Sequence, residues 1–442
     1  MIDWIQILET GKVRDRLVKV EDLKDIDLSR LTRKSYGDDE TLDKRVTEIL
    51  RRVRVDGEEG LFQMTEEFDQ VNLRECGLRA TEREIQAAYQ EVSVDFLEAI
   101  RTAKENVLRY HEKQKRTSWL DPDQDGSILG QLLLPLKRVG IYVPGGTASY
   151  PSSVLMNALP AVVAGVKEIV MVSPPRADGT LLPEVLVAAA EAGVTEIYKV
   201  GGAQGVAALA YGTESISPVD KITGPGNIYV TLAKKQVFGT VDIDMLAGPS
   251  EILILVDESG RPEELAADLL SQAEHDRLAS AILVSPSRPL LEQTIIEVER
   301  QLERLPRAEI ARASWETYGA AILVSDLNEG MDLANQIAPE HFELVVEDPY
   351  SWLGQVRNVG AVFLGRFSPE PVGDYFAGPN HVLPTGGTAR FYSPLNVDTF
   401  MKKVSVIGYS EAALQRDAKQ IALLARSEGL EAHARAVEVR FK

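Results

Sequence analysis

The stretch LNEGMDLANQIAPEHFELVV, residues 327–346, changes character at its middle. Residues 327–336 are amphipathic at the helical period, 342–346 form a short apolar run of strand type, and Pro339 forbids one helix from running through both. Helix, turn and strand are expected, with Glu340 and His341 in the turn that feeds the strand. The same alternation continues outward. Residues 252–256, 281–284, 320–324 and 361–364 read as strands, with helices at 262–278 and 290–305. Upstream, strands at 139–143, 168–172, 196–200 and 241–245 interleave with helices at 150–164, 182–192, 203–211 and 227–237. Strands separated by helices of this length pair in parallel through right-handed crossovers. The expected fold is α/β: two open, mostly parallel, incomplete Rossmann-like sheets in tandem, alike in architecture without a close sequence repeat.

Residues 1 to about 135 read as helical and charged, with no strand pattern of length. After Arg366 a run of glycines and prolines marks a long ordered loop, costly unless packed or functional. The C-terminal tail reads as two helices, 411–426 and 430–440, broken at Ser427-Glu428-Gly429.

A chain of 442 residues calls for two or more domains. A net charge of -19 argues against a nucleic-acid surface, which basic residues would have to build. The apolar runs are too short to span a membrane and the opening Met1-Ile2-Asp3-Trp4 is no signal peptide, so a cytoplasmic location is expected. The single cysteine, Cys76, excludes an intrachain disulfide and a thiolate-rich metal site. A bound metal would have to use His, carboxylate or amide oxygen.

The five histidines are therefore informative: His111, His275, His341, His381 and His433. Glu340 and His341 could supply two proton-transfer groups. On their own residues they read first as a polar pair at a strand edge. Gln272 and His275 fall three apart in the helix expected over 262–278, on a face otherwise apolar, and read either as a satisfied core pair or as ligands. Asp374 and His381 lie in the Gly/Pro-rich loop and His433 on the last helix; imidazole, carboxylate and amide oxygen together suit zinc. His111 reads as structural. Gly201-Gly202-Ala203-Gln204 joins strand to helix, where backbone amides can meet a phosphate, but is not the Gly-x-Gly-x-x-Gly fingerprint. No P-loop occurs, and Ser250 lacks the surroundings of a hydrolase nucleophile.

Eight segments in order make the chain resemble the histidinol dehydrogenase family. They run from Arg138-Val139-Gly140-Ile141-Tyr142-Val143-Pro144-Gly145-Gly146 through Gly201-Gly202-Ala203-Gln204, Gly224-Pro225-Gly226-Asn227, Ala247-Gly248-Pro249-Ser250-Glu251 and Ser271-Gln272-Ala273-Glu274-His275-Asp276. Ala338-Pro339-Glu340-His341, Asn380-His381-Val382-Leu383-Pro384-Thr385-Gly386-Gly387 and Glu428-Gly429-Leu430-Glu431-Ala432-His433 complete the series. The resemblance implies oxidation of L-histidinol to L-histidine through histidinal, with two NAD and one zinc ion per subunit. It implies zinc on Gln272, His275, Asp374 and His433, and Glu340 and His341 as the acid/base pair. Ser250, His381 and Glu428 would join those ligands and His341 around the substrate, and Tyr142, Gln204 and Asn227 would line the NAD site. The implied division is an N-terminal arm (1–33), a first α/β domain with the metal and acid/base site (34–140 and 248–394), a second on the NAD side (141–247), and a helical tail (395–442). That tail would cross to the partner of a homodimer, completing its active site. The rival expectation is a related zinc/NAD alcohol dehydrogenase acting on another diol, such as a sulfonated propanediol; Glu428 suits an amine better than a sulfonate.

Overall fold

The computed structural model describes residues 18–25, 40–145 and 150–441. Most of the arm expected over residues 1–33 and Gly146 of the first glycine turn lie outside the described residues. The chain runs through a strand at Val20–Asp22 (β1), helices at Glu40–Asp69 (α1), Leu73–Cys76 (α2), Glu82–Glu91 (α3) and Val94–Glu112 (α4), and strands at Trp119–Pro122 (β2), Ile128–Pro135 (β3) and Arg138–Tyr142 (β4). It continues as Pro151–Ala164 (α5), Glu168–Val172 (β5), Pro183–Ala192 (α6), Glu196–Tyr198 (β6), Gly202–Tyr211 (α7), Lys221–Thr223 (β7), Ile228–Val237 (α8) and Asp242–Ile243 (β8). A second alternating series follows: Glu251–Val256 (β9), Pro262–Ala273 (α9), Ser280–Ser285 (β10), Arg288–Leu302 (α10), Ala308–Tyr318 (α11), Ala320–Leu323 (β11), Leu327–Ile337 (α12), His341–Val345 (β12) and Ala361–Leu364 (β13). A short helix at Glu370–Tyr375 (α13), a strand at Met401–Gly408 (β14) and helices at Glu411–Ser427 (α14) and Glu431–Glu438 (α15) complete it.

Two wholly parallel sheets result, in the strand orders β1-β11-β10-β9-β12-β13 and β6-β5-β4-β7-β8. Every residue of β9 is buried, because helices cover both faces of the sheet. Ile252, Ile254 and Val256 face Leu265, Leu269 and Leu291 of α9 and α10; Leu253 and Leu255 face Met331 and Ala334 of α12. The strand's period of two divides the core into these layers.

Three expectations need correction. Helices α1 and α4 bury their apolar faces mainly against residues 141–247, although α4 also meets the Gly/Pro loop, the Asn106 side chain donating to the Phe376 carbonyl at 2.9 Å. Val46, Ile49 and Leu50 of α1 share a core with Val206 and Leu209 of α7, while Ile100 and Val107 of α4 pack with Val154 and Leu155 of α5. Helices α5 and α7 bury almost every residue, so a second helical layer must cover their outer sides. Next, the region before residue 135 does contain strands. β2 and β3 join β14, from the tail expected to be helical, in an antiparallel three-stranded sheet. Its strands are largely exposed and carry little apolar alternation. Finally, a second helix, α11, stands between α10 and β11, where a single helix was expected. Among the described residues no helix is long and apolar enough to cross a membrane.

Candidate active site

α12 is capped by Ala338, whose left-handed backbone (φ 56°) turns the chain sharply; Pro339 then prevents any return to helix. Three residues after the helix the chain is already β12, beginning at His341. Gly360 sits against this turn: a Cβ there would lie 2.4 Å from the Glu340 carbonyl oxygen, and its N–H donates to the Pro339 carbonyl at 2.9 Å. Sheet register thus fixes two side chains that are both more than nine-tenths buried.

Glu251, the first residue of β9, organises the pair through its backbone. Its N–H donates to Glu340 Oε2 at 2.9 Å, and its carbonyl accepts from His341 Nδ1 at 3.1 Å. A carbonyl can only accept, so Nδ1 carries the proton and Nε2 is the nitrogen left to exchange one. Nε2 points at Asp374 (3.7 Å) and Glu370 (3.9 Å), both on α13. Burial pushes the Glu340 carboxyl up to about 7 against the pull of His341, placing it where a proton is readily given or taken near neutrality. Burial alone would lower His341, but Glu340, Asp374 and Glu370 outweigh it and carry the imidazole up to about 10.

Facing His341 is a group with metal-site geometry. Ligand atoms of His275, Glu370 and Asp374 all lie within 4.8 Å of one another. Burial lowers the pKa of His275, keeping it neutral as a ligand must be. Burial and then the neighbouring Asp374 push Glu370 up to about 8. Burial also opposes ionisation of Asp374, but the nearby His341 (3.7 Å) and the charge of His381 hold its carboxyl below the usual range. Gln272, in the last turn of α9, is fully buried, and neither its Oε1 nor its Nε2 finds a hydrogen-bond partner; His341 Nε2 and Glu370 Oε1 are orphaned too. Two of these atoms, His341 Nε2 and Glu370 Oε1, lie 3.9 Å apart, and Gln272 stands three residues before His275; in a protein interior that ordinarily pairs nearly all such atoms, they fit a site that completes its coordination with an ion.

The other expected residues are placed as follows. α9 stops at Ala273, so His275 lies just past the helix, its N–H donating to the Gln272 carbonyl at 3.2 Å, and not on the helix face expected for it. His381 Nδ1 donates to the Asp374 carbonyl at 2.9 Å and its Nε2 lies 3.4 Å from Ser153 Oγ on α5, so the Gly/Pro loop spans both sheets. Ser250 is half-buried immediately before β9, its carbonyl accepting from the Ser280 N–H at 2.9 Å. Glu428 and His433 are exposed on the tail and make no hydrogen bond or ion pair with the His275 group. His111 is buried and held by Gln114 (2.7 Å) and Asn380 (3.5 Å), a structural role. Sequence reasoning missed Glu370 and Glu251. Glu370 stands four residues before Asp374, a helical spacing that the surrounding prolines concealed; a backbone role such as that of Glu251 leaves no side-chain signal.

Tyr142, Gln204 and Asn227 line one cavity of about 430 Å3, with Asp69, Phe68 and Pro174. It opens where β4 and β7 end, beside the N-terminus of α7, the side of an open α/β sheet on which ligands bind. The Tyr142 hydroxyl accepts from the Gly202 N–H at 3.0 Å, and the Asn227 side chain caps α8. A larger recess of about 610 Å3 lies between α3 and the edge strand β6, and none of the expected site residues lines it.

The sequence profile of histidinol dehydrogenase matches residues 32–441. The chain belongs to the histidinol dehydrogenase family. It is 62% identical to the histidinol dehydrogenase of Moorella thermoacetica over 396 residues, covering 90% of this chain and 93% of that one. With the Heliobacterium mobile histidinol dehydrogenase it shares 55% identity across 96% of this chain and 100% of the relative. The crystal structure of histidinol dehydrogenase from Elizabethkingia anophelis superposes with a TM-score of 0.89 at 36% identity, covering 96% of each chain. That likeness includes the parallel sheets and the helical C-terminal end, as the expected fold class required.

Proposed function

We propose that this chain is an NAD-dependent oxidoreductase of histidine biosynthesis that converts L-histidinol to L-histidine through histidinal, two NAD being reduced and one zinc ion serving each subunit. The observation that carries the reading is the buried Glu340-His341 pair facing the His275, Glu370 and Asp374 group, with the orphaned Gln272 amide three residues before His275. Gln272, His275 and Asp374 would hold the zinc, together with His433 of a partner chain. The ion would supply a Lewis-acid anchor for the substrate's amine and imidazole nitrogens.

The protein's own groups divide the proton work. His341 accepts the hydroxyl proton at Nε2 as hydride leaves carbon for the nicotinamide, giving the aldehyde. Glu340 takes a proton from water as its oxygen adds to that carbonyl, and the carbonyl oxygen takes back the proton held by His341, giving the hydrate and a free imidazole. His341 then accepts a hydrate proton as the second hydride leaves, and the acid ionises. With its carboxylate neighbours uncompensated, His341 holds its proton too firmly to act as a base. A dication beside Asp374 offsets that charge and brings the imidazole into working range. Burial of both bases keeps bulk water from the aldehyde. Ser250, His381 and the partner's tail, through Glu428, would position the substrate, while Tyr142, Gln204 and Asn227 would hold NAD. The exposure of Glu428 and His433 supports a tail that acts in trans within a homodimer. A location in the cytoplasm, where NAD is held in common with other pathways, accords with this chemistry.

The test is the product balance of the zinc-loaded protein: two NADH per L-histidinol, with Glu340→Gln slowing aldehyde oxidation more than alcohol oxidation and His341→Asn slowing both. Turnover of a different diol with none of histidinol would refute the substrate. Equal losses in single-turnover assays of the two half-reactions would refute the division of labour.

A further inference from the structure

Asp69 is a carboxylate without an obvious structural purpose. It is the last residue of α1, a helix with no basic residue in its final turn, and an acid at a helix C-terminus opposes the helix dipole. Gln70 next to it adopts a left-handed backbone (φ 58°), turning the chain away. The carboxylate is left lining the 430 Å3 cavity, among Phe68, Tyr229 and Pro174. Its Oδ2 accepts one hydrogen bond, from Gln204 Nε2 at 3.1 Å, and among the described residues no lysine, arginine or histidine pairs with it. Burial pushes the group up to about 6, the mark of an acid lacking compensation.

What such a carboxylate lacks is donors. Two hydroxyls on adjacent carbons supply two O–H groups at a spacing that matches the two carboxylate oxygens, which is how open α/β nucleotide sites take a ribose. There the acid usually follows a strand of the sheet; here it comes from a helix laid over the sheet, which explains why no fingerprint spacing announces it. A phosphate on one of those hydroxyls would remove a donor and set a dianion against Asp69, while Arg45, the described base that lines the cavity, is turned to the Tyr229 hydroxyl (3.4 Å) and to the Phe68 and Tyr229 rings.

Building on the reading of this cavity as the NAD site, we propose that Asp69 accepts hydrogen bonds from a ribose diol of the dinucleotide and thereby selects NAD over its 2′-phosphorylated form. Gln204 is then a positioning residue, holding Oδ2 while Oδ1 and the outer lone pairs meet the hydroxyls.

The experiment is equilibrium binding of NADH and NADPH to the full chain, followed by cofactor fluorescence, for the unaltered protein and for Asp69→Asn and Asp69→Ser. The unaltered protein should favour NADH at least tenfold, and both variants should shrink that ratio tenfold or more by losing NADH affinity. An unchanged ratio in folded variants overturns the proposal. Competition between ADP-ribose and its 2′-phosphate on the unaltered protein decides the case if the variants do not fold; equal displacement by the two overturns it. If the unaltered protein binds NADH and Gln204→Ala leaves that binding untouched, the cavity itself is misread and the proposal falls with it, an outcome distinct from an unchanged ratio.

Discussion

Replacing Gln272 by methionine separates a ligand from an ordinary core amide. The side chain is fully buried, with both polar atoms unpaired in the metal-free protein. A buried polar group without a partner costs about 1–3 kcal/mol, and methionine has the same unbranched length without that burden. Metal-stripped Gln272→Met should therefore be more stable than the unaltered chain by that amount. Unfolding entropy of about 2.1 cal/mol/K per residue, over 442 residues, gives roughly 0.9 kcal/mol/K, so the metal-free Tm should rise by about 1–3 °C. Zinc at a thousand times its Kd stabilises the unaltered protein by about 4 kcal/mol, or roughly 4 °C. With a ligand gone and affinity down about a hundredfold, the same zinc adds only about 1.4 kcal/mol, a rise some threefold smaller. Calorimetric melts of stripped and zinc-loaded samples read both quantities. A stripped variant that melts lower than the unaltered protein, with an undiminished zinc-induced rise, would show that the amide is satisfied within the protein and would remove it from the ligand set.

Three further outcomes are expected. Gly360→Ala puts a methyl 2.4 Å from the Glu340 carbonyl oxygen, so the turn must shift; a loss of about 1–3 kcal/mol in stability and a fall in kcat without a change in the affinity for NAD should appear together, and full activity at full stability would show the turn to be indifferent to its neighbour. Glu196 is held down to about 2, first by its hydrogen bond to Arg138, so the stability it contributes is fully present above its ordinary value of 4.5 and lost as pH falls toward 2. Glu196→Gln should accordingly lie below the unaltered protein in urea unfolding at pH 7 and converge with it near pH 2; a gap constant with pH contradicts this. Mixing inactive His433→Ala chains with inactive His341→Asn chains should restore activity through dimers that pair one intact tail with one intact acid/base turn, and no recovery in a mixture shown by mass to contain mixed dimers rules out a shared site.

The parts of the fold that were legible in the sequence are those where burial leaves a pattern. β9 and β12 are runs of apolar residues because helices cover both faces of their sheet, and the Pro339 break between α12 and β12 marks the turn that carries Glu340 and His341. The antiparallel sheet was not legible, since β2 and β14 are mostly exposed and β14 finds its partner β3 some 270 residues away. The grouping of α1 and α4 was missed because an amphipathic helix advertises an apolar face without naming what covers it. Within the site, side-chain chemistry pointed to Gln272, His275 and Asp374, and α13 brings Glu370 into the same group through a single turn of helix set among prolines, a context that reads as loop.

The charge arrangement around His341 explains why an ion belongs there. Glu340, Glu343, Glu370 and Asp374 are gathered in or against a protein interior that cannot ionise so many carboxyls together. The conflict is relieved by protonation: burial and then Asp268 push Glu343 well above the carboxylate range, burial and Asp374 do the same to Glu370, and His341 keeps its proton beside Asp374. Two positive charges beside Asp374 replace the one on His341, so the metal-free protein should give up protons when zinc binds near neutral pH, and the imidazole freed in this way is the one the first hydride transfer needs. Titration calorimetry in buffers of different ionisation enthalpy measures that release. Zinc binding without proton release at pH 7 would mean that His341 is not protonated in the metal-free site, and that its carboxylate neighbours do not govern it.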